Sequence, residues 1–419
     1  MIEFLVDLLV LLITYGLIAM RGTRFGVPPW TAMMLGASLT ILTGIVPPSA
    51  AFSSINLNVL LFLISLFTIA SALEVSGFFS YVAYRLLRSG GGMSGLITRI
   101  FLSSAFLSMV LSNDGIAGSM APVLASMRSQ ANVDSKPLLY ALAFGVTIGS
   151  VAMPIGNPQN LLIALDAGVA KPFLAFIVYL LPPTLINMAL TPYVLVRMFG
   201  ANHREPQVVA YDPPSYDKRL AHLALIMLAA LIVIYMASDL VQFPSYVTPV
   251  TASIGAASLL YVYSPRRRDV AMNLDWTTIL FFIGLFIVSE GALRSGVLHV
   301  MARYLPSPTN LIGIFVAGIL ISQVISNVPM VAIYVPLMQG LGLGSTNVID
   351  WMALAASSTI AGNLTIMGAA SNVIASEAFE RRGGEGFGFL EFIKYGAPLT
   401  AINVAVYYAW LTFMPRIII

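Results

Sequence analysis

The chain of 419 residues is 58% hydrophobic and only 9% charged, with a formal net charge of +3 and a mean hydropathy of +0.89. Soluble chains run at roughly 45–50% apolar and 25% charged residues, so this composition belongs to a polytopic membrane protein. The sequence contains no cysteine, which excludes disulfides, thiolate metal ligands and cysteine nucleophiles, and the small net charge gives no reason to expect a nucleic-acid partner.

Several apolar runs reach or approach the ~20 residues that cross hydrocarbon as a helix. The polar–apolar alternation of barrel strands is absent, so the predicted class is all-α. At the N-terminus Glu3 and Asp7 precede any positive charge and no small-residue cleavage site follows, which reads as a first membrane helix and not a signal peptide. Ten full spans are predicted near 3–20, 30–46, 57–80, 137–165, 172–199, 219–238, 246–263, 276–293, 351–379 and 392–414. Two further apolar stretches, 96–127 and 309–343, are too long for one helix and are interrupted by "SNDGIAGSMAP" from Ser112 and "SNVPMVAIYVP" from Ser326. Each reads as a re-entrant helical hairpin with its tip inside the membrane. His203, His222 and His299 fall at segment ends or in loops without ligand spacing, so no metal site and no cofactor are expected.

With this topology most Lys and Arg residues share one face, and only Lys171, Arg294, Arg303 and Arg416 fall on the other. The positive-inside rule then puts both termini outside the cytoplasm, in a plasma or inner membrane. The two halves also resemble each other. "LFLISLFTIASALEVSGF" from Leu61 resembles "LFFIGLFIVSEGALRSGV" from Leu280, and "TIGSVAMPIGNPQN" from Thr147 resembles "TIAGNLTIMGAASN" from Thr359. The hairpins start from opposite sides, so the expected plan is an inverted repeat: residues 1–200, a cytoplasmic linker over 201–218, and residues 219–419.

The interruptions concentrate the polar chemistry. Ser112 and Asn113 at one tip, and Ser326 and Asn327 at the other, are expected to cap exposed helix ends and to contact a ligand. The dipole of the helix that follows each tip favours an anion there. Pro154, Gly156 and Pro158 break the span over 137–165, and Gly362 and Gly368 break the span over 351–379. Asn157, Gln159, Asn160, Asn363, Thr365 and Asn372 supply neutral donors and acceptors beside the breaks. Asp114 is a carboxylate at membrane depth, where a charge is costly enough to suggest function and a capping role is the plainer reading. Gly156 and Gly368 would also serve close helix packing. Glu74 and Glu377 read as members of buried ion pairs or as proton-relay sites. Glu290 with Arg294 reads as a helix-face bridge, and Arg381 with Glu385 as a solvated pair.

"SNDG…P", "PIGNPQN", "SQVISNVP" and "AGNLTIMGAASN" together resemble the ion transporter superfamily of arsenite permeases, D-type sodium/proton antiporters and citrate or dicarboxylate/sodium symporters. The resemblance covers nearly the whole chain. "NDG" at Asn113–Gly115 is most similar to the arsenite-permease branch, whereas Asp114 and Val328 stand where the dicarboxylate symporters carry threonine. It implies an elevator-type transporter, often a homodimer in the symporter branch, with Ser112, Asn113, Gly156, Ser326, Asn327 and Gly368 lining the substrate and coupling-ion region.

No nucleophile, metal motif or acid pair at helical spacing lies within the spans, so a secondary transporter is expected and not an enzyme. The expected cargo is a small inorganic oxyanion or its neutral acid, of the arsenite or antimonite type, exported with proton coupling through Asp114. Without thiolates such a cargo binds as a hydroxylated species through Asn, Ser and backbone groups. The alternatives are a sodium/proton antiporter, in which Asp114 and carbonyls near Gly156 and Gly368 bind the cation, and a citrate- or dicarboxylate-like organic-anion permease; the expected coupling ion is H+, with Na+ as the alternative.

Overall fold

The computed structural model describes residues 2–20, 27–89, 92–131, 135–199, 213–297, 300, 306, 308 and 310–414; His203, His299, Arg303, Arg416 and most of the expected linker lie outside them. All regular structure among these residues is helical. The first half contains α1 (Ile2–Ala19), α2 (Pro29–Leu42), α3 (Pro48–Ser54), α4 (Leu57–Val75), α5 (Phe78–Arg88), α6 (Gly92–Ser108), α7 (Asn113–Ala131), α8 (Lys136–Gly149), α9 (Pro158–Asp166), α10 (Pro172–Tyr179) and α11 (Leu181–Phe199). The second contains α12 (Lys218–Leu240), α13 (Pro249–Tyr263), α14 (Arg267–Met272), α15 (Trp276–Arg294), α16 (Leu311–Ile325), α17 (Asn327–Gly340), α18 (Val348–Ile360), α19 (Ala370–Glu380) and α20 (Phe389–Phe413).

Helix starts follow local chemistry. Asn56, Asp217, Asp275 and Asn310 each accept backbone N–H bonds at the first turn of the helix that follows, which satisfies donors that have no intrahelical partner. Thr248 and Thr251 form a reciprocal capping box at α13. The span expected over 57–80 ends earlier, at Val75, because Gly77 takes a left-handed conformation (φ +79°) and starts α5 as a separate helix. The span expected over 172–199 is two helices bent by 42° at Leu180. The short α3 and α14 carry too few residues for a periodic signal, and the start of α5 falls inside the span expected over 57–80; all three went unanticipated in the sequence.

Packing falls into two sets that repeat between the halves. In the first set, α1 and α2 pack on α15, while α12 and α13 pack on α4, so each half holds a helix of the other. In the second set α6 packs on α8 and α16 on α18; α7 packs on α19, and α17 on α9. Lipid gives helices no hydrophobic reason to associate, so close backbone approach matters. A Cβ at Gly149 would lie 2.0 Å from the Ala105 carbonyl oxygen, and one at Gly318 would lie 2.1 Å from the Ser357 hydroxyl. These glycines let the α6–α8 and α16–α18 pairs close.

Three charge expectations are corrected. Glu74 is exposed and accepts a hydrogen bond from Asn273 Nδ2 at 3.0 Å, and among the described residues it has no ion pair. Arg381 pairs with Glu377 at 3.5 Å, one turn back on α19, and Glu385 reaches Lys136 at 3.4 Å instead. Glu377 is therefore a solvated surface partner. Glu290 and Arg294 do form their bridge, at 2.5 Å.

Candidate functional site

Both expected helix breaks are present, and they have the same form. After α8 the chain leaves helix, makes one 3₁₀ turn at Pro154–Gly156 between the extended residues Met153 and Asn157, and resumes as α9. After α18 it passes through Ala361–Asn363, makes one 3₁₀ turn at Ile366–Gly368 between the extended residues Thr365 and Ala369, and resumes as α19. The asparagine that follows each turn ties it shut: Asn160 Nδ2 donates to the Ser150 carbonyl at 2.9 Å, and Asn372 Nδ2 donates to the Gly362 carbonyl at 2.6 Å. Backbone groups freed by the missing helical turns are thus re-satisfied by side chains, as membrane depth demands.

The glycines do close work. A Cβ at Gly156 would sit 2.7 Å from the carbonyl oxygens of both Ser108 and Ser150. At Gly368 it would sit 2.5 Å from the Ala361 carbonyl and 3.0 Å from Gln323 Oε1. Each glycine therefore lets its break nest against the end of the neighbouring hairpin arm.

The breaks differ in how fully their polar atoms are matched. At the first, Asn157 caps α9 through Asn160 N (2.9 Å), and its Nδ2 reaches the Ser150 carbonyl and hydroxyl (both 3.1 Å) and Thr359 Oγ1 (3.2 Å). Thr359 also accepts from Gln159 Nε2 (3.3 Å) and donates to Asn160 Oδ1 (3.2 Å). One hydroxyl from the second half thus locks the break of the first. At the second break Gln323 donates to the Ala361 carbonyl (3.0 Å) and accepts from the Thr365 hydroxyl (2.8 Å). Both amide atoms of Asn363, which is 0% exposed, have no protein partner among the described residues, nor do Asn372 Oδ1 and Ser371 Oγ. Thr359 and Gln323 were not singled out as site residues, although both lie inside the quoted motifs, because their partners are remote in sequence.

The connections expected as hairpin tips are short, running from Ser108 to Asn113 and from Ile325 to Asn327. Asn113 and Asn327 open α7 and α17, and Asn113 Oδ1 accepts from the Asp114 amide at 3.0 Å. Ser326 does not cap α17 as expected: it takes φ +75°, and its hydroxyl donates to Asn327 Oδ1 at 3.2 Å. Ser112 and Asn157 share one cavity wall, facing Leu66, Phe67 and Ala70 of α4. Asp114 is half-buried at the first turn of α7 and lies within electrostatic reach of Asp275, the cap of α15. A Cβ at Gly118, one turn further on, would meet Ile374 of α19 at 3.2 Å. Each tip helix therefore runs onto the helix that follows the break of the other half. The residues gathered at tips and breaks are amides, hydroxyls, glycines and one carboxylate, with no Lys or Arg among the thirteen expected from the sequence.

A family model described as "Citrate transporter" (CitMHS) matches residues 10–356. The uncharacterized transporter Mb2703 of Mycobacterium bovis is 29% identical over 91% of this chain and 92% of its own. The silicon efflux transporter LSI3 of Oryza sativa subsp. japonica is 26% identical over 89% and 90%, and the putative transporter arsB of Dictyostelium discoideum 23% over 89% and 85%. Among solved structures, the Alcanivorax borkumensis YdaH transporter superposes with a TM-score of 0.57 at 15% identity, covering 98% of this chain and 97% of that one. Neisseria gonorrhoeae MtrF superposes with a TM-score of 0.53 at 13% identity, covering 90% and 84%.

Proposed function

The chain belongs to the citrate transporter family of the ion transporter superfamily, and from that premise we propose that it exports a small hydroxylated inorganic acid of the arsenite or antimonite type with proton coupling. The observation that carries this reading is the donor set at tips and breaks: neutral amides and hydroxyls with one carboxylate and no cation. A citrate trianion would face Asp114 without a Lys or Arg to balance it, which is costly at membrane depth. A neutral oxyacid needs only hydrogen-bond donors and acceptors. The relative named for silicon efflux supports a cargo of that chemistry.

Asp114 is the proton carrier in this reading, protonated when the pocket faces one side and ionised when it faces the other. The unmatched Asn363, Ser371 and Asn372 atoms favour the second break as the place where ligand hydroxyls are received, since buried polar groups in native folds find partners. The repeated break geometry and the crossed pairing of α7 with α19 and α17 with α9 support an inverted repeat with re-entrant hairpins. The body formed by hairpins and breaks would move against α1, α2, α4, α12, α13 and α15 as an elevator, with both termini outside and two copies assembled as a homodimer.

Purified protein in liposomes tests the function. Arsenite or antimonite flux should rise with an imposed proton gradient and citrate flux should stay at the background of empty vesicles. Arsenite flux indifferent to the gradient overturns the coupling. A sodium pulse that dissipates the gradient without any oxyacid would establish the cation antiporter instead.

A further inference from the structure

A second polar surface lies away from the tips and breaks. The segment that leads into α12 folds back on the α4–α5 turn: the Asp217 amide donates to the Ser76 carbonyl at 2.8 Å, and Ser215 O lies where a Cβ of Gly77 would be. Tyr81 of α5 and Tyr216 stack with ring centroids 4.5 Å apart and planes 8° apart. Between these walls opens a groove of about 730 Å³ lined by Tyr81, Tyr84, Arg85, Arg88, Tyr216 and Lys218, with no carboxylate lining it among the described residues. Arg88 donates to the Tyr84 hydroxyl at 2.8 Å, which fixes its guanidinium at the groove wall. Among the described residues neither Arg85 nor Lys218 is in an ion pair, and both are exposed. Asp217 turns its carboxylate to the first amides of α12 and away from the groove.

We propose that this groove holds the phosphate headgroup of an anionic phospholipid from the leaflet that α5 faces. Topology signals explain why cations lie on this side, but not why Arg85, Arg88 and Lys218, drawn from both halves of the chain, converge on one tyrosine-walled groove. The depth favours a lipid over a free anion. α5 begins three residues after α4, a helix long and apolar enough to cross a membrane, so the groove opens at the membrane surface. α5 packs Phe79 and Ala83 against the protein while exposing Arg85 and Arg88, so its basic side is the one turned away from the helix bundle. Basic pockets beside membrane helices are suited to anionic headgroups, with guanidinium forks matching phosphate oxygens. The proposal is independent of which cargo the tips and breaks carry.

Native mass spectrometry of the full chain tests it, with phosphatidylglycerol and phosphatidylcholine of identical acyl chains as probes. Wild type should retain one phosphatidylglycerol at least tenfold more tightly than phosphatidylcholine. The triple exchange Arg85→Gln, Arg88→Gln, Lys218→Gln should abolish that preference, whereas Arg267→Gln with Arg268→Gln, on the exposed α14, should leave it intact. Should the triple exchange fail to fold, Arg85→Gln and Lys218→Gln made singly should each weaken retention several-fold. Equal retention of the two lipids by wild type, or full retention by the groove variants, overturns the proposal. Displacement of the lipid by millimolar inorganic phosphate also overturns it, in favour of a soluble anion.

Discussion

Asp114 and Asn327 lie in the first turns of matching helices with different chemistry, and their variants should fail differently. Asp114→Asn keeps the volume and the hydrogen-bonding capacity but cannot ionise, so it should abolish gradient-driven flux while thermal unfolding stays within about 1 °C of wild type. Asn327→Ala removes neutral hydrogen bonds worth ~0.5–1.5 kcal/mol apiece, so substrate affinity should fall about 2- to 12-fold with coupling retained. Normal transport by Asp114→Asn across a pH series would reduce Asp114 to a capping residue. Thr359 and Asn363 make a second contrast. Thr359→Val takes the partner from the Gln159 amide and from Asn160 Oδ1, and leaving buried polar atoms unmatched should lower stability by ~1–3 kcal/mol, read as a lowered melting temperature in detergent. Asn363→Leu replaces an amide with no protein partner by an apolar group of similar size, so stability should hold or rise while transport falls. A melting temperature lowered as far as that of Thr359→Val would remove Asn363 from the ligand-receiving role.

At the scale of elements, the breaks are held by close backbone approach as much as by hydrogen bonds. Gly156→Ala would drive a methyl group to 2.7 Å from two carbonyl oxygens, neither on a flexible side chain, and should destabilise by ~1–3 kcal/mol with loss of transport. Gly115→Ala, in the first turn of α7 with nothing within 4 Å of the added methyl group, is the matched control and should leave both properties unchanged. Equal melting temperatures for the two variants would mean that the first break relaxes freely and is not the locked element its bonding describes. The positions of both breaks were legible in the sequence, because proline removes a donor and glycine a side chain whatever surrounds them. The asymmetry between them was not. Thr147 and Thr359 head matching motifs, yet Thr359 reaches across to Asn157 while Thr147 bonds back to Ala143 in its own helix.

For the whole molecule, the pairing of each half with the other is the property that transport would use. The natural absence of cysteine makes the pairing testable by engineered cysteine pairs. Gly118→Cys with Ile374→Cys joins α7 to α19 inside the proposed moving body, and should crosslink under oxidation with flux retained. Phe67→Cys with Ile155→Cys places one thiol on α4 and one on the first break around the cavity they share, and bridging the two with a bifunctional thiol reagent should stop flux. Flux through the second crosslink at the wild-type rate would exclude relative movement of those parts. The sequence by itself determined the solvent, the helical class, the places of the two breaks and the neutral character of the donor set beside them, since each depends on composition or on a residue's effect on its own turn of backbone. Only the tertiary structure decided that Thr359 completes the break of the opposite half, that Gln323 bonds to both ends of the second break, that Asp114 lies within electrostatic reach of Asp275, and that Arg85, Arg88 and Lys218 meet in one groove. These pairs are joined by through-space hydrogen bonding, charge and packing between segments far apart in the chain, and such contacts leave no period or spacing in the residues that make them.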